Sequence, residues 1–250
     1  SSTAPRSSDA AADQPLGRFD THGREYVITT DSVRTTPAPW VNVLANPGFG
    51  SVLSEAGGAY TWSENAHEFR LTPWSNDGVA ASSGEALYLR DEDSGRFWSV
   101  TPAPAGDGGT YVTRHGFGYS VFEHEAEGIH SELTVYVDLT EAVKFSVLRV
   151  QNRAGHTRRL SATGYVEWVL GDLRPKTAMH VVTSIDPASG ALLARNGYNS
   201  DFEGRVAFFD VDDLSRTLSG DRGEFIGRNG SLAAPAAMQR VRLSGRLGAA

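Results

Sequence analysis

"ELTVYVDL" (132–139) and "RLSATGYVEWVL" (159–170) decide the fold class. In the first, Leu133, Val135 and Val137 fall on one face of an extended chain. In the second, Leu160, Ala162, Val166, Trp168 and Leu170 share a face, while Ser161, Thr163 and Glu167 take the other. A period of 2 is the mark of a half-buried antiparallel strand, because successive side chains leave a pleated strand on opposite sides. "AVKFSVLRVQN" (142–152), "TAMHVVTSI" (177–185) and "RVAFFDV" (205–211) are further strand candidates, rich in β-branched and aromatic residues.

Turn-forming clusters separate these runs: "DEDSGR" (91–96), "AGDGG" (105–109), "NRAGH" (152–156) and "DPASG" (186–190). Glycine there supplies the positive φ that hairpins need. No run of a dozen residues carries a helical stripe, and 27 glycines and 11 prolines would interrupt one. The expectation is an all-β chain, a large antiparallel two-sheet β-sandwich of supersandwich size with few or no helices. Residues 1–16 are small, polar and proline-containing and read as a flexible linker, with the sandwich over 17–250. "MQRVRLSGRLGAA" (238–250) reads as a last strand, so the chain is expected either to be cut there or to continue into further protein.

With 250 residues and 40% hydrophobic content the chain is long enough for a sizeable core. Its net charge of −7, with no basic block, argues against nucleic acid and anionic membrane surfaces. It has no cysteine, which excludes disulfides and thiolate metal sites. No apolar run reaches the roughly 18 residues of a membrane span. There is no signal-peptide pattern, and a cytoplasmic location is expected, including the cytoplasmic part of an inner-membrane protein.

Catalytic signatures are missing: there is no G-x-S-x-G elbow, phosphate loop or H-E-x-x-H. "GFGYS" (116–120) reads as a turn before a strand rather than a dinucleotide fingerprint, since no helix follows. "FEHEAEGIH" (122–130), read as one strand, puts His124 and His130 on one face but roughly 20 Å apart, too far for a metal site, so no metal is expected. "DEDSG" (91–95) opens like a calcium loop, but its twelfth position holds Pro102 instead of glutamate, so a hairpin is expected between "ALYLR" and "RFWSV".

One stretch has no clean period: "YTWSENAHEFRLTPWSND" (60–77). Flat aromatic faces stack on sugar rings, and Arg, Asn and Asp bond hydroxyls. Trp62, Arg70, Trp74, Asn76 and Asp77 have that chemistry, with Arg114 and His115 in "RHG" as weaker candidates. The same residues could equally be aromatics packed under a loop with Arg70 bridging carboxylates. "TPAPWVN" (36–42) reads as structural, with Pro37 and Pro39 holding an extended entry and Trp40 filling the core.

"GREYVI" (23–28), "TPAPWVNVLANPGFG" (36–50), the 60–77 stretch, "GEALYLRDEDSGRFWS" (84–99), "YVTRHGFGYSVFEHEAEGI" (111–129) and "GDRGEFIGRNGSLAAPAAM" (220–238) come in one order. Together they resemble the N-terminal supersandwich domain of glycoside hydrolase family 94, nearest the phosphorylase-like region of cyclic β-1,2-glucan synthases. The resemblance covers about residues 17–250. It implies a non-catalytic sandwich followed by a helical linker and an α/α barrel in an inverting β-glucoside phosphorylase. The barrel carries the catalytic aspartic acid, inorganic phosphate is co-substrate in place of water, and no other cofactor is needed. It further implies a β-glucan or gluco-oligosaccharide substrate, a homodimer, and sandwich loops that reach a glucoside site. On that basis Arg70, Trp74, Asn76 and Asp77, with Trp62 behind them, are the expected sugar contacts. No catalytic residue is expected in this chain. A freestanding carbohydrate-binding module and a dimerisation domain are the competing readings. The tryptophans Trp40, Trp62, Trp74, Trp98 and Trp168 are scattered along the chain, which counts against the first of these.

Overall fold

The computed structural model describes residues 15–74 and 83–248. It is all-β, with 41% of residues in strands against 6% in helices, and its sheets are antiparallel and unclosed. The larger layer is a six-stranded sheet in the order β1 (Gly17–Phe19), β2 (Glu25–Thr30), β8 (Tyr111–Gly116), β9 (Tyr119–Ala126), β10 (Ile129–Val137) and β11 (Lys144–Asn152). Facing it are two three-stranded sheets. One runs β3 (Val41–Asn46), β4 (Phe49–Ser54), β5 (Ala59–Ser63), and the other β12 (Leu160–Val166), β6 (Glu85–Asp91), β7 (Phe97–Ser99). A further three-stranded sheet, β13 (Val181–Ile185), β14 (Leu192–Asn196), β15 (Ala207–Phe209), completes the set. The expected sandwich is therefore present, with its second layer divided into pieces.

The alternation that predicted β10 is realised residue by residue: Ile129, Ser131, Leu133, Val135 and Val137 are buried, and the residues between them are not. They meet Leu44, Phe49 and Leu53 from β3 and β4, and Leu89 and Trp98 from β6 and β7, in the main core. β12 departs from its expectation. Its supposedly polar face buries Tyr165, which packs with Tyr88 on Phe225, Ile226, Ala237 and Met238. Its apolar face leaves Ala162 exposed. The strand ends at Val166, and Trp168, Val169 and Leu170 are buried beyond it. Trp168 and Leu170 enter a second core with Phe69, Val181, Ala194 and Ala207.

Phe225 and Ile226 belong to a short helix, α2 (Arg222–Ile226), capped by the Asp221 side chain, which accepts from Glu224 N. A first helix, α1 (Arg174–Thr177), breaks the run expected to be one strand over 177–185, and the strand starts at Val181. The last-strand expectation for 238–250 fails: Met238 lies in a 3-10 turn (Ala236–Gln239), and residues 240–248 form no strand. That segment is instead held by scattered bonds, Gly220 N to Arg246 O at 2.7 Å, and Ser244 N and Oγ to Glu224 at 3.0 and 2.7 Å. Burial pushes the Glu224 carboxyl up, but the Ser219 and Ser244 hydroxyls, the Ser244 N–H and Arg240 outweigh it and hold it below its usual range.

"FEHEAEGIH" is a hairpin rather than one strand. Ala126 pairs with Ile129, and the two loop residues Glu127 and Gly128 have φ of 53° and 73°, as a two-residue turn of the primed class requires. His124 and His130 thereby sit on neighbouring strands and opposite faces. His124 is buried and stacks on Tyr111 at 3.7 Å. Trp40 does not fill the core either: it is half-buried and meets Tyr26 edge-on at 5.9 Å.

The "DEDSG" stretch is the expected hairpin between β6 and β7, fastened by Asp91. Its Oδ1 accepts from Asp93 N at 2.7 Å and Ser94 N at 2.9 Å, and its Oδ2 from Arg158. The Ser94 N–H, then Arg158, hold the Asp91 carboxyl at about 2 against the ordinary 3.8. A carboxylate lowered by folding contributes stability that is complete above its unfolded value and is lost as pH falls through the folded one. Stability is expected to fall between about pH 4 and pH 2. In urea melts, Asp91→Asn should lower stability at pH 7 and flatten this part of the acid dependence. An unchanged acid slope in the variant would assign the slope to other carboxylates.

Candidate functional site

The aperiodic 60–77 stretch is sorted by strand pairing. In β3–β4–β5 the registered rows are Leu44–Ser51–Thr61 on the inner face, and Val43–Val52–Tyr60 and Ala45–Gly50–Trp62 on the outer one. Directly opposed residues share a face, so the outer face of this sheet is an almost wholly apolar surface. Val41 and Val43 on it are 46% and 56% exposed.

After β5 the chain turns at Glu64, whose φ is 63°, and at Asn65, whose Oδ1 accepts from His67 N and Glu68 N at 2.9 Å each. Phe69 then drops into the second core and stacks on Phe202 at 4.5 Å. Arg70 bridges Trp62 on one side and Gly171 on the other as an isolated antiparallel link. Being opposite Trp62, it returns to the outer face. Its guanidinium carbon stands 5.8 Å from the Tyr60 ring centre, within cation–π range, and Nε donates to Ala66 O at 3.3 Å. Tyr60 meets Trp62 at 5.4 Å and Trp74 at 5.0 Å. Tyr60, Trp62, Arg70 and Trp74 thus form one partly exposed patch. Gly50 lies under the Trp62 ring, where any Cβ would strike it.

The inner side of the same stretch is a polar tie. Thr61 Oγ1 and Thr72 Oγ1 donate to Glu85 at 2.7 and 2.9 Å. Lys144 Nζ donates to Thr61 Oγ1 at 2.7 Å and ion-pairs with Glu85. Burial raises the Glu85 carboxyl, but Lys144 and the two hydroxyls outweigh it, and it lies below its usual range. The patch is therefore backed by a group that joins β5, β6 and β11.

Of the sequence candidates, the structure brings Trp62, Arg70 and Trp74 together. Among the described residues Arg70 pairs with no carboxylate, and its guanidinium meets the Tyr60 ring and Ala66 O. Asn76 and Asp77 lie outside the described residues. Arg114 and His115 are in the six-stranded sheet and do not join the patch. Arg114 is ringed by carboxylates, Glu123, Glu25 at 3.3 Å and Glu132 at 3.9 Å. His115 bonds Ser120 Oγ at 2.9 Å and Trp40 O at 3.1 Å, and burial lowers its pKa, so it sits neutral at pH 7. Site selection from the sequence missed Tyr60, the ring at the centre of the patch. The signal was its two-residue spacing from Trp62.

The sequence profile of the family described as "Glycosyl hydrolase 94, supersandwich domain" matches residues 24–250. The chain belongs to this family. Among curated proteins it is similar to the cyclic beta-(1,2)-glucan synthase NdvB of Rhizobium meliloti (strain 1021), 39% identical over 226 residues, 89% of this chain and 8% of that protein. It is also similar to the N,N'-diacetylchitobiose phosphorylase of Vibrio proteolyticus, 31% identical over 239 residues, 91% of this chain and 29% of that enzyme. The 3-O-beta-D-glucopyranosyl-beta-D-glucuronide phosphorylase of Paenibacillus borealis is 27% identical over 146 residues, 58% of this chain and 17% of that enzyme. The supersandwich chain thus spans between 8% and 29% of these relatives, all of them carbohydrate-processing enzymes by name. No described helix is long and apolar enough to cross a membrane.

Proposed function

We propose that the chain is the non-catalytic supersandwich of a β-glucan phosphorylase or cyclic β-1,2-glucan synthase-type enzyme, and that its Tyr60–Trp62–Arg70–Trp74 patch borders the glucoside site. The observation that carries this reading is the convergence of three rings and a guanidinium on the outer face of β5, in a family of carbohydrate enzymes. Rings take the apolar face of a pyranose, and the guanidinium bonds its hydroxyls. In this reading an α/α barrel of the same protein supplies the acid and binds inorganic phosphate, a second subunit completes a homodimer, and the assembly is cytoplasmic or the cytoplasmic part of an inner-membrane protein. The convergence also favours the carbohydrate-binding-module reading, since the rings are near one another after all.

Titration calorimetry with linear β-1,2-gluco-oligosaccharides, with and without phosphate, tests the patch, with cello-oligosaccharides as the control. No turnover is expected from the chain. Weak binding of the β-1,2-linked sugar is expected, reduced on the order of tenfold by Trp62→Ala or Trp74→Ala, the loss of about one stacking contact. No heat at millimolar sugar would remove the sugar contact and leave a scaffold or dimerisation role. Binding equal for both linkages would favour the free binding module.

A further inference from the structure

The sandwich is open along one side. A cleft of about 1910 Å³ runs between β11 and β12 and on past β15. Apolar side chains line it, among them Phe122, Leu133, Val135, Leu148 and Leu160 of the main core and the exposed Phe209. Its volume exceeds the ~300–1,000 Å³ of small-molecule sites. The face of β12 that the sequence marks as inward looks into this cleft, which is why Ala162 is exposed there.

β11 forms one rim, and its free edge can be read atom by atom. Asp138 N bonds Val143 O, and Arg153 N bonds Gly128 O, at the two ends of the β10–β11 ladder. In an antiparallel ladder, hydrogen-bonded and non-bonded pairs alternate. Phe145, Val147, Arg149 and Gln151 therefore turn their backbone groups toward β10, whereas Ser146, Leu148 and Val150 turn theirs outward. Among the described residues nothing bonds these outward groups. The same three residues share the inner face with Leu133 and Val135, and Val150 is 42% exposed there. A nine-residue edge with apolar residues and no proline is a template for another strand.

We propose that an extended polypeptide segment lying outside these 250 residues pairs with the free edge of β11. Its alternate apolar side chains would fill the cleft against Leu133, Leu148 and Leu160. Two features choose a strand over a small ligand: the outward ladder of N–H and C=O groups, and an apolar volume that continues the sandwich core. The relatives leave ample polypeptide for this, since the chain spans 29% of the chitobiose phosphorylase and 8% of NdvB. The inference is independent of the sugar reading.

The test is amide hydrogen exchange, resolved to single residues, on the protein carrying everything its gene encodes. The outward amides of Ser146, Leu148 and Val150 are expected to exchange within about tenfold of the β10-bonded amides of Phe145, Val147 and Arg149. Ser146→Pro removes an outward N–H while sparing the β10 ladder, a position where an edge strand tolerates proline. It should speed exchange at Leu148 and Val150 and leave Val147 and Arg149 protected. Fast exchange of the three outward amides in the unsubstituted protein would overturn the proposal. So would protection that vanishes on dilution to monomer, which would make a second copy of the protein the occupant.

Discussion

Lys144→Met is expected to destabilise the fold by about 3–5 kcal/mol, the usual cost of leaving one partner of a buried ion pair alone. The side chains of Lys144 and Glu85 are 13% and 16% exposed, and the pair is fixed by Thr61, Thr72 and Ser51. Without the ammonium, burial acts on Glu85 with only the two hydroxyls against it. Its pKa rises, and the deficit should be largest at pH 7 and shrink toward pH 4 as the carboxyl takes a proton. The double variant Lys144→Met/Glu85→Gln should lose less than the sum of its parts, because the two residues are in contact. Urea midpoints at both pH values measure this. A single-variant loss under about 0.5 kcal/mol would mean the pair is no better than a surface one. The effect reaches the candidate site, since Thr61 stands between Tyr60 and Trp62.

Tyr88→Ala should cost a similar amount, about 3–5 kcal/mol, as aromatic-to-alanine changes in cores do. Tyr88 is fully buried, and its hydroxyl donates to Leu232 O at 2.7 Å. Burial raises its pKa, so it stays a neutral donor. Its ring faces Phe97 and Phe225 at 6.4 and 6.5 Å. It is the pin between β6 and the layer formed by α2 and the 3-10 turn. Tyr88→Phe keeps the ring and leaves the Leu232 carbonyl unpaired, at about 1–3 kcal/mol. Calorimetric melts of the two variants separate ring from hydroxyl. Proteolysis in 220–243 should follow the larger loss. If Tyr88→Phe cost as much as Tyr88→Ala, the hydrogen bond rather than packing would hold that layer.

The strands were legible where one face is buried and the other wet. The alternation of Leu133, Val135 and Val137 reads in the sequence as it stands in β10, and so does the hairpin of "DEDSG". β12 was legible as a strand but not in its burial: Tyr165 is covered by residues 225–238, some sixty positions on, which no local period reports. The same holds for "FEHEAEGIH". Its Glu-Gly pair was a turn signal, but it competed with an apparently continuous run, and only the Ala126–Ile129 pairing separates the histidines. Composition also made the C-terminal segment look like a strand, although over 240–248 it makes only scattered bonds, such as Thr183 N to Gly248 O, and no ladder.

At the candidate site the chemistry was visible and the assembly was not. Residue types marked Trp62, Arg70 and Trp74, and motif order marked the family, because aromatic faces, guanidinium and fixed motif order are properties of the chain itself. The sequence by itself thus determined the all-β class, the hairpins turning at 91–96 and 186–190, and kinship with the supersandwich family. Only the tertiary structure decided that Trp62, Arg70 and Trp74 meet around Tyr60 while Arg114 is consumed by Glu25, Glu123 and Glu132. The physical reason is that the pleat fixes which residues alternate. Which side of a strand is covered, and which side chains become neighbours, depends on pairing with strands distant in the chain.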